Sequence, residues 1–297
     1  MNGSGEAMGQ PRVSNTLSPT RPHAVSPALS DYSQQAPGST PKPVGPEFLQ
    51  SSSLSREGFR HAFFTRRGGS SKTPYDSLHF GSTGHDPGAL AANVHAAAGA
   101  LGVLVEHLYV VTQVHGRDAT ALRGDESREE VLSRKADVVL SRAGGVACGV
   151  KVADCVPVLV ADRESGAVAA IHSGWQGTVA NVVEAGITAL RREAGQRGQL
   201  LAAIGPHIEL CCFEVGDDVA DKLATCVPTT DVIDRSRGPR PYVDLRKIVR
   251  AQLLALGLEN ESIDDVSGCT KCDAERFFSF RRDGEASGRL LSAIVVR

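Results

Sequence analysis

The sequence predicts a fold of mixed α/β class, in which β-strands and helices are interspersed. Many short apolar runs rich in β-branched residues are interspersed with amphipathic segments, so both strands and helices are expected. The two kinds of element do not alternate regularly, as they would in a doubly wound parallel sheet. A sandwich is therefore favoured. Residues 56–297 are rich in Ala, Val, Leu and Gly, and this segment is long enough for one large domain or two small ones.

The N-terminal segment has a different composition. Residues 1–55 are rich in Ser, Pro, Gly and Gln and contain few aliphatic side chains. Such a segment cannot bury enough apolar surface to offset the entropy of ordering. We predict a disordered tail over 1–55 and a folded domain over 56–297.

The first half of the folded region is predicted to contain several strands and one capped helix. Asp86 as N-cap, Pro87 in the first turn and Gly102 as the stop predict a helix that ends near Leu101. Segment 118–122 is expected to return antiparallel to segment 108–114. The predicted extended segments are 61–65, 75–81, 108–114, 118–122, 137–140 and 146–152.

A central hairpin is predicted from two apolar runs, 156–161 and 167–171, which Ser165 and Gly166 separate as a turn. Cys155 precedes the first run and His172 follows the second, so pairing of the runs would place both at the same end. A tight glycine turn and a helix over 177–193 follow, and the start of a helix binds anions through its unpaired N–H groups.

The last third of the sequence predicts two further helices and three strands. Segment 244–256 is the clearest amphipathic helix, because its apolar residues recur at intervals of three and four. The other predicted elements are strands over 200–204, 277–280 and 290–296 and a helix over 217–225.

Charge and hydropathy narrow the classes of partner. The net charge is −2, which gives no electrostatic reason to expect nucleic acid or an acidic membrane surface as a partner. No apolar run approaches the roughly 20 residues that span a bilayer. The first residues lack a charged start followed by an apolar stretch, and the seven cysteines are scattered. These features predict a cytoplasmic protein with reduced thiols.

Three side chains with metal-ligand chemistry lie at strand ends beside a glycine or an acid: His115, Cys155 and His172. Two imidazoles and one thiolate can bind zinc and leave a fourth position open for water or substrate. Asp154 could orient one of these ligands. The spacings of about 40 and 17 residues form no compact metal motif, so two polar histidines and a core cysteine remain the alternative interpretation.

Several motifs resemble one known family. They are FFTRRGG, PYDSLHFG, TQVHG, ADCVPVLVAD, AAIHSGWQGT, IGPHIELCCFEVG, CTKC and FFSFRRDG, in that order. From about Phe59 onward the chain is similar to the laccase-domain family of the YfiH type, also labelled polyphenol oxidase. The resemblance implies a mixed α/β sandwich with outer helices. It also implies purine nucleoside phosphorolysis, with adenosine deamination and methylthioadenosine phosphorolysis.

The resemblance also implies particular site residues. Its metal ligands fall on His115, Cys155 and His172, and its active-site arginine falls on Arg66. Phosphate could then bind between Arg66 and the start of the helix at Gly177. Zinc, a zinc-bound water or Asp154 would stabilise the departing purine, and zinc-activated water would attack C6 of adenine in deamination.

Three positions depart from the family pattern: His79 stands where Asn is usual, and HSGWQG replaces HAGWRG at Ser173 and Gln176. His79 could tune the metal or add a ligand, and Gln176 removes a positive charge from the helix start. Trp175 could stack on a base, although core packing is the commoner role of a lone tryptophan.

Other interpretations stay open. His207, Glu209 and the C-x-x-C at Cys269 and Cys272 imitate a nucleobase-deaminase signature, but the required proline is absent. Copper oxidase chemistry is disfavoured because the chain contains no H-x-H, and its only methionines are Met1 and Met8. Cys155 could instead be a nucleophile activated by a histidine. A binding module with a structural metal is a further alternative, and the sequence does not decide between a monomer and a homodimer.

Overall fold

The computed structural model describes residues 45–81, 86–195, 198–228 and 231–297. Within these ranges the strands are β1 (Phe48–Leu49), β2 (His61–Phe64), β3 (Leu108–Tyr109), β4 (Ala119–Leu122), β5 (Val138–Ser141), β6 (Ala147–Val152), β7 (Val156–Asp162), β8 (Val168–Ser173), β9 (Leu200–Ile204), β10 (Ile233–Asp234), β11 (Tyr242–Val243), β12 (Ile263–Asp265) and β13 (Leu290–Val295). The α-helices are α1 (Ser52–Arg56), α2 (Pro87–Leu101), α3 (Arg128–Ser133), α4 (Trp175–Val179), α5 (Val182–Ala194), α6 (Asp217–Ala224), α7 (Leu245–Ala255) and α8 (Phe280–Asp283).

The folded region begins earlier than the predicted boundary at residue 56. β1 pairs antiparallel with β2, and α1 follows it directly. Ser51 caps α1 by accepting the N–H of Leu54 and donates its hydroxyl to the carboxylate of Asp264 at 2.7 Å. The serine-rich run that resembles a tail therefore includes a helix cap. The rest of the predicted tail, residues 1–44, lies outside the described residues.

Two mixed sheets form the sandwich that the sequence predicts. One has the strand order β1-β2-β13-β6-β3 and the other β12-β9-β7-β8-β5-β4. In each sheet parallel and antiparallel pairs coexist, as in β4 with β5 and β5 with β8. The mixed α/β fold class is confirmed, and a doubly wound parallel sheet is excluded.

Apolar side chains fill three layers. Residues such as Phe63, Val150, Leu159 and Ala170 pack between the two sheets. On the outer face of the first sheet lies α2, and the outer face of the second is covered by α5, α6 and α7. Both faces of β7 and β8 are thus buried, which explains their continuous apolar runs.

The predicted central hairpin is confirmed. β7 and β8 pair antiparallel, with Val156 opposite Ser173 and Pro157 opposite His172. Cys155 and His172 therefore lie at the same end of the hairpin. The helix over 87–101 is confirmed as well, with Asp86 as its N-cap and Gly102 in the left-handed conformation at its end.

Other predicted elements differ from the structure. β4 does not return against segment 108–114 but pairs parallel with β5 in the other sheet. Within segment 108–114 only Leu108–Tyr109 is a strand, because further along the N–H of Thr112 donates to the carbonyl of Arg134. Segment 75–81 pairs in no strand: the N–H groups of Ser77 and Leu78 both donate to the carbonyl of Arg66.

Two predicted elements near the site are also wrong in type or extent. Segment 277–280 is not a strand; Phe277 and Phe278 are buried in a loop beside Val152 and Leu290, so burial rather than strand pairing explains the apolar run. The helix predicted over 177–193 is two helices, α4 and α5, because Asn181 adopts φ +58° between them.

In the described part of the chain, no helix combines the length and the apolar character that a bilayer span requires.

Candidate active site

The three predicted ligands converge at the end of the β7–β8 hairpin. Cys155 Sγ lies 3.9 Å from Nε2 of His115, and the two imidazole rings are 4.9 Å apart at an angle of 74°. One donor atom from each of the three residues lies within 4.8 Å of the others. His115 is exposed and His172 is buried, so the group opens to solvent on one side only. Such spacing suits a single metal ion with a position left for another ligand.

Asp137 organises the two histidines, and sequence reasoning missed it. Its buried carboxylate accepts a 2.7 Å hydrogen bond from Nδ1 of His172 and N–H groups of Val114, His115 and Gly116 at 3.2, 3.0 and 2.7 Å. This leaves Nε2 of His172 for a metal, and a carboxylate behind a histidine is a usual partner in such sites. The sequence shows only an acid at the start of a predicted strand.

Two site residues hold unusual backbone conformations. His115 has φ +58° and Asp154 has φ +93°, a region that non-glycine residues rarely enter. At His115 the three N–H groups bound by Asp137 compensate for this conformation. The carboxylate of Asp154 does not hydrogen-bond to either histidine. Its oxygens accept the Thr270 hydroxyl and the N–H of Arg281, both at 2.6 Å. The carboxylate that hydrogen-bonds a ligand imidazole is that of Asp137.

The electrostatics of the group favour a thiolate. Burial opposes ionisation of Cys155, but the charge of His172 and hydrogen bonds from His115 and His172 lower its pKa to about 6. Burial likewise opposes protonation of His172, yet the sulfur and the Asp137 carboxylate raise its pKa to about 9. A thiolate is the form that both a metal ligand and a nucleophile need.

The lowered pKa of Cys155 makes a testable prediction for protein stripped of metal by a chelator. The alkylation rate of Cys155 by iodoacetamide should rise between about pH 5 and 7 and then level off, because the thiolate is fully populated above its pKa of about 6. Burial raises the pKa of Cys226, so the rate at that thiol should still be climbing at pH 9 in the same sample. Peptide mapping by mass spectrometry separates the two profiles. Identical profiles with midpoints above pH 8 would contradict this electrostatic account.

The donor set fits a metal in one further respect. An added Cβ at Gly174 would lie 2.9 Å from Cδ2 of His115 and 3.1 Å from Sγ of Cys155. Only glycine at this position lets the chain pass so closely behind the ligands. His115, Cys155 and His172 thus form a compact, supported set of one soft and two borderline donors.

The ligands lie at the base of a cleft of about 720 Å³. Three cations are part of its wall: Lys151, Arg281 and Arg289. Aromatic side chains of Trp175, Phe213 and Phe280 provide stacking surface. Such a combination of a few polar groups with aromatic walls is typical of sites for small organic ligands.

Comparison with known proteins identifies the family. The model of the family described as multi-copper polyphenol oxidoreductase laccase matches residues 60–297. The chain belongs to this family.

Two proteins similar to this chain are named as enzymes that act on nucleosides. A protein of Bacteroides thetaiotaomicron named purine nucleoside phosphorylase is 33% identical over 247 residues, which cover 80% of this chain and 91% of the relative. A protein of an unknown prokaryotic organism named adenosine deaminase RL5 is 32% identical over 201 residues, covering 65% and 77%. The crystal structure of YlmD from Geobacillus stearothermophilus has a TM-score of 0.76 at 29% identity, covering 84% of this chain and 98% of that one.

The family arginine, Arg66, does not line the cleft. Its guanidinium donates to the carbonyls of Asp76 and Ala274 at 2.8 and 3.1 Å and lies 4.4 Å from the centre of the Phe278 ring. Phe278 in turn contacts the ring of His79 edge-on. Arg66 thus supports the layer behind the cleft wall, where its bonding groups are already engaged with backbone oxygens.

The departures from the family pattern have distinct surroundings. His79 lines the cleft, stacks on Tyr75 at 4.6 Å and accepts the N–H of Arg289 at 2.9 Å; it is not part of the three-ligand group. Ser173 is buried and shares a 2.8 Å hydrogen bond with the hydroxyl of Thr178. Gln176 is exposed on the cleft wall. Trp175 packs against the core, the commoner role of a lone tryptophan, and it also lines the cleft.

The deaminase-like signature is not assembled as a site. Nδ1 of the buried His207 lies 2.8 Å from the carbonyl oxygen of Gly205. Cys269 and Cys272 group with Cys211 and Cys212 instead. Cys212 belongs to that cluster and is not part of the cleft wall.

Proposed function

We propose that the protein is a cytoplasmic zinc-dependent purine nucleoside phosphorylase. It would cleave adenosine, inosine, guanosine and methylthioadenosine with phosphate and would also deaminate adenosine. The observation that carries the proposal is the open His115–Cys155–His172 group at the base of a cleft whose wall bears three cations. The names of the relatives support the substrate class. All seven cysteines are free thiols, which suits a reducing compartment.

His115, Cys155 and His172 would hold the zinc ion. When bound, zinc polarises an oxygen or activates a water molecule at its open position. Asp137 keeps the proton of His172 on Nδ1, so that Nε2 stays a metal donor. Zinc is preferred to a blue-copper centre because such a centre often adds an axial methionine, and the two methionines of the sequence, Met1 and Met8, fall in the segment predicted to be a tail.

Phosphate would bind between the cations of the wall. Burial lowers the pKa of the Lys151 ammonium and the charge of Arg289 lowers it further, so the two cations lie close enough to repel each other. No carboxylate of the described residues forms an ion pair with either group. An anion between them would relieve the repulsion and accept charge-assisted hydrogen bonds. The five-residue α4 is too short to supply the anion site predicted at Gly177.

Other residues in and behind the cleft wall would position the substrate. Trp175 and Phe280 would hold the base by stacking. We assign Arg66 and Asp154 positioning roles. Arg66 braces the loops behind the cleft. One oxygen of Asp154 accepts the hydroxyl of Thr270 and the other accepts the N–H of Arg281, so the carboxylate ties two segments together, which suits a brace better than a proton donor.

The decisive assay is a panel of nucleosides with and without phosphate, on protein whose metal content has been measured. Base and ribose 1-phosphate should appear only when phosphate is present. Conversion of adenosine to inosine should not need phosphate, because water is the nucleophile in deamination. Base release that is independent of phosphate would identify a hydrolase instead. Absence of turnover for every nucleoside would favour a binding module.

The phosphate position has its own test, Lys151→Met, which keeps the aliphatic stem and removes the charge. We expect the KM for phosphate to rise about tenfold to a hundredfold, because a charge-assisted hydrogen bond is lost. Metal content should not change. Lys247→Met is the matched control. Lys247 lies on the outer helix α7, and its ammonium forms an ion pair with Asp231. Equal KM values for both variants would remove Lys151 from the phosphate site.

A cysteine hydrolase is the second candidate, and one observation favours it. Cys155 has a lowered pKa and lies beside His172, which Asp137 orients, so the three residues resemble a nucleophile, a base and its supporting acid. Metal analysis separates the candidates. Turnover that depends on stoichiometric zinc excludes the nucleophile, whereas full activity of metal-free protein excludes the phosphorylase mechanism.

A further inference from the structure

Four cysteines that the proposed reaction does not use form a second compact cluster. Cys211 and Cys212 follow β9, and Cys269 and Cys272 follow β12. The sulfur of Cys211 lies 3.5 Å from that of Cys269 and 3.6 Å from that of Cys272, and the sulfurs of Cys212 and Cys272 are 3.3 Å apart. All four sulfur atoms lie within 4.8 Å of one another.

Backbone hydrogen bonds hold the two cysteine loops side by side. His207 and Cys269 form a parallel bridge in which the N–H of His207 donates to the carbonyl of Gly268. Glu209 adds a side-chain link, because its carboxylate accepts the N–H of Gly268 at 3.2 Å and a guanidinium N–H of Arg246 at 2.8 Å. Loops that bind each other in this way place the thiols before any ligand arrives.

The local turns resemble those that present thiolates to metals. The N–H of Asp273 donates to the carbonyl of Cys269, so the C-x-x-C segment folds into one tight turn. This turn brings the sulfur atoms of Cys269 and Cys272 together, and both contact the sulfur of Cys211.

We propose that Cys211, Cys212, Cys269 and Cys272 bind one structural zinc ion, separate from the ion of the cleft. A tetrahedral zinc site with Zn–S bonds of about 2.3 Å has sulfur atoms about 3.8 Å apart. Three of the observed separations, 3.3 to 3.6 Å, are slightly shorter than this value, and all six lie within 4.8 Å, so small side-chain movements would accommodate the ion. Each thiol gives its proton to solvent on binding, and four protein ligands leave no position for substrate.

Other uses of the four thiols fit less well. A four-iron cluster places each thiolate on a different iron and needs its cysteines further apart. A disulfide would pair two of the sulfurs and leave the other two without a role, and all four are free thiols here. Soft thiolate donors select zinc over hard cations such as magnesium or calcium.

The position of the cluster gives the zinc a structural task. Ile208 and Phe213 flank Cys211 and Cys212 in the chain and line the cleft. Thr270 lies between Cys269 and Cys272 and donates its hydroxyl to Asp154, the residue before Cys155. The ion would clamp both loops and thereby fix one wall of the cleft.

The proposal is tested on the full chain by measuring the number of zinc ions per chain and the number of sulfur ligands around each zinc ion. Elemental analysis of wild-type protein should give two zinc ions per chain, and C269S/C272S should give one. Cys155→Ala keeps only the cluster, so its zinc absorption spectrum should show four sulfur ligands at about 2.3 Å. The matched control is Cys226→Ser, a half-buried thiol whose sulfur lies near the carbonyls of Lys222 and Thr178, and it should keep both ions.

The outcomes are distinct even if C269S/C272S fails to fold, because the spectrum of Cys155→Ala does not need that variant. One zinc per wild-type chain, together with no sulfur-only zinc in Cys155→Ala, would overturn the proposal. So would a disulfide among the four cysteines in freshly purified protein, or iron or copper in place of zinc. The measurement is independent of the reaction in the cleft, since a chain that turned over no nucleoside could still carry this ion.

Discussion

Cys155→Ala is expected to remove one metal ion per chain and to lower phosphate-dependent turnover by at least about 10³-fold, or about 4 kcal/mol of activation free energy. The thiolate is one of three protein donors, and two imidazoles alone hold a metal far more weakly. Fold should be retained, because the side chain lies at the rim of the hairpin and only its sulfur is lost. Elemental analysis and a nucleoside assay on the same sample measure both effects.

Cys226→Ala provides the control for this variant. It deletes a thiol of similar burial near the end of α6, away from the three ligands, and should retain metal and turnover. Wild-type turnover by Cys155→Ala would refute the mechanism. A variant that lost turnover but kept its full metal content would instead support the nucleophile interpretation.

Asp137→Asn is expected to weaken metal affinity about tenfold to a hundredfold and to lower the free energy of unfolding by about 3 kcal/mol. An amide cannot accept all four N–H groups that the carboxylate accepts. If its NH₂ group faces His172, the proton of the ring moves to Nε2, the atom that would bind the metal. Competition with a chelator measures the affinity, and urea denaturation measures the stability.

Asp162→Asn is the matched control, because Asp162 is an equally buried aspartate at the far end of β7. Its carboxylate accepts the hydroxyl of Ser165 and the N–H of Glu164, both in the hairpin turn. This variant should lose stability but keep its metal affinity. Equal affinity loss in both variants would mean that Asp137 acts only through general stability.

Periodicity and turn chemistry predicted much of the fold. The hairpin of β7 and β8 was predictable because two β-branched runs flank a Ser-Gly turn. The helix α2 was predictable because Asp86 and Gly102 cap it. Predictions failed where partners lie far away in the chain: β4 joined the other sheet, and the apolar run at Phe277 was buried without forming a strand.

The site was predicted unevenly for a similar reason. His115, Cys155 and His172 were identified from residue chemistry and from resemblance, and the structure brings their donor atoms together. Asp137 was missed because a single acid before a strand gives no signal of its partners. Arg66 was identified by resemblance, but its guanidinium donates to backbone carbonyls and is not part of the cleft wall.

Local sequence thus determined which segments form the hairpin, where helices are capped and which residues have metal-binding chemistry, since those properties depend on neighbours within a few positions. Tertiary structure alone decided that an aspartate 35 residues from His172 orients it, that three cations share one wall, and that four scattered cysteines meet. These contacts arise from strand order and loop packing, and their energies depend on distances in space that spacing along the chain does not encode.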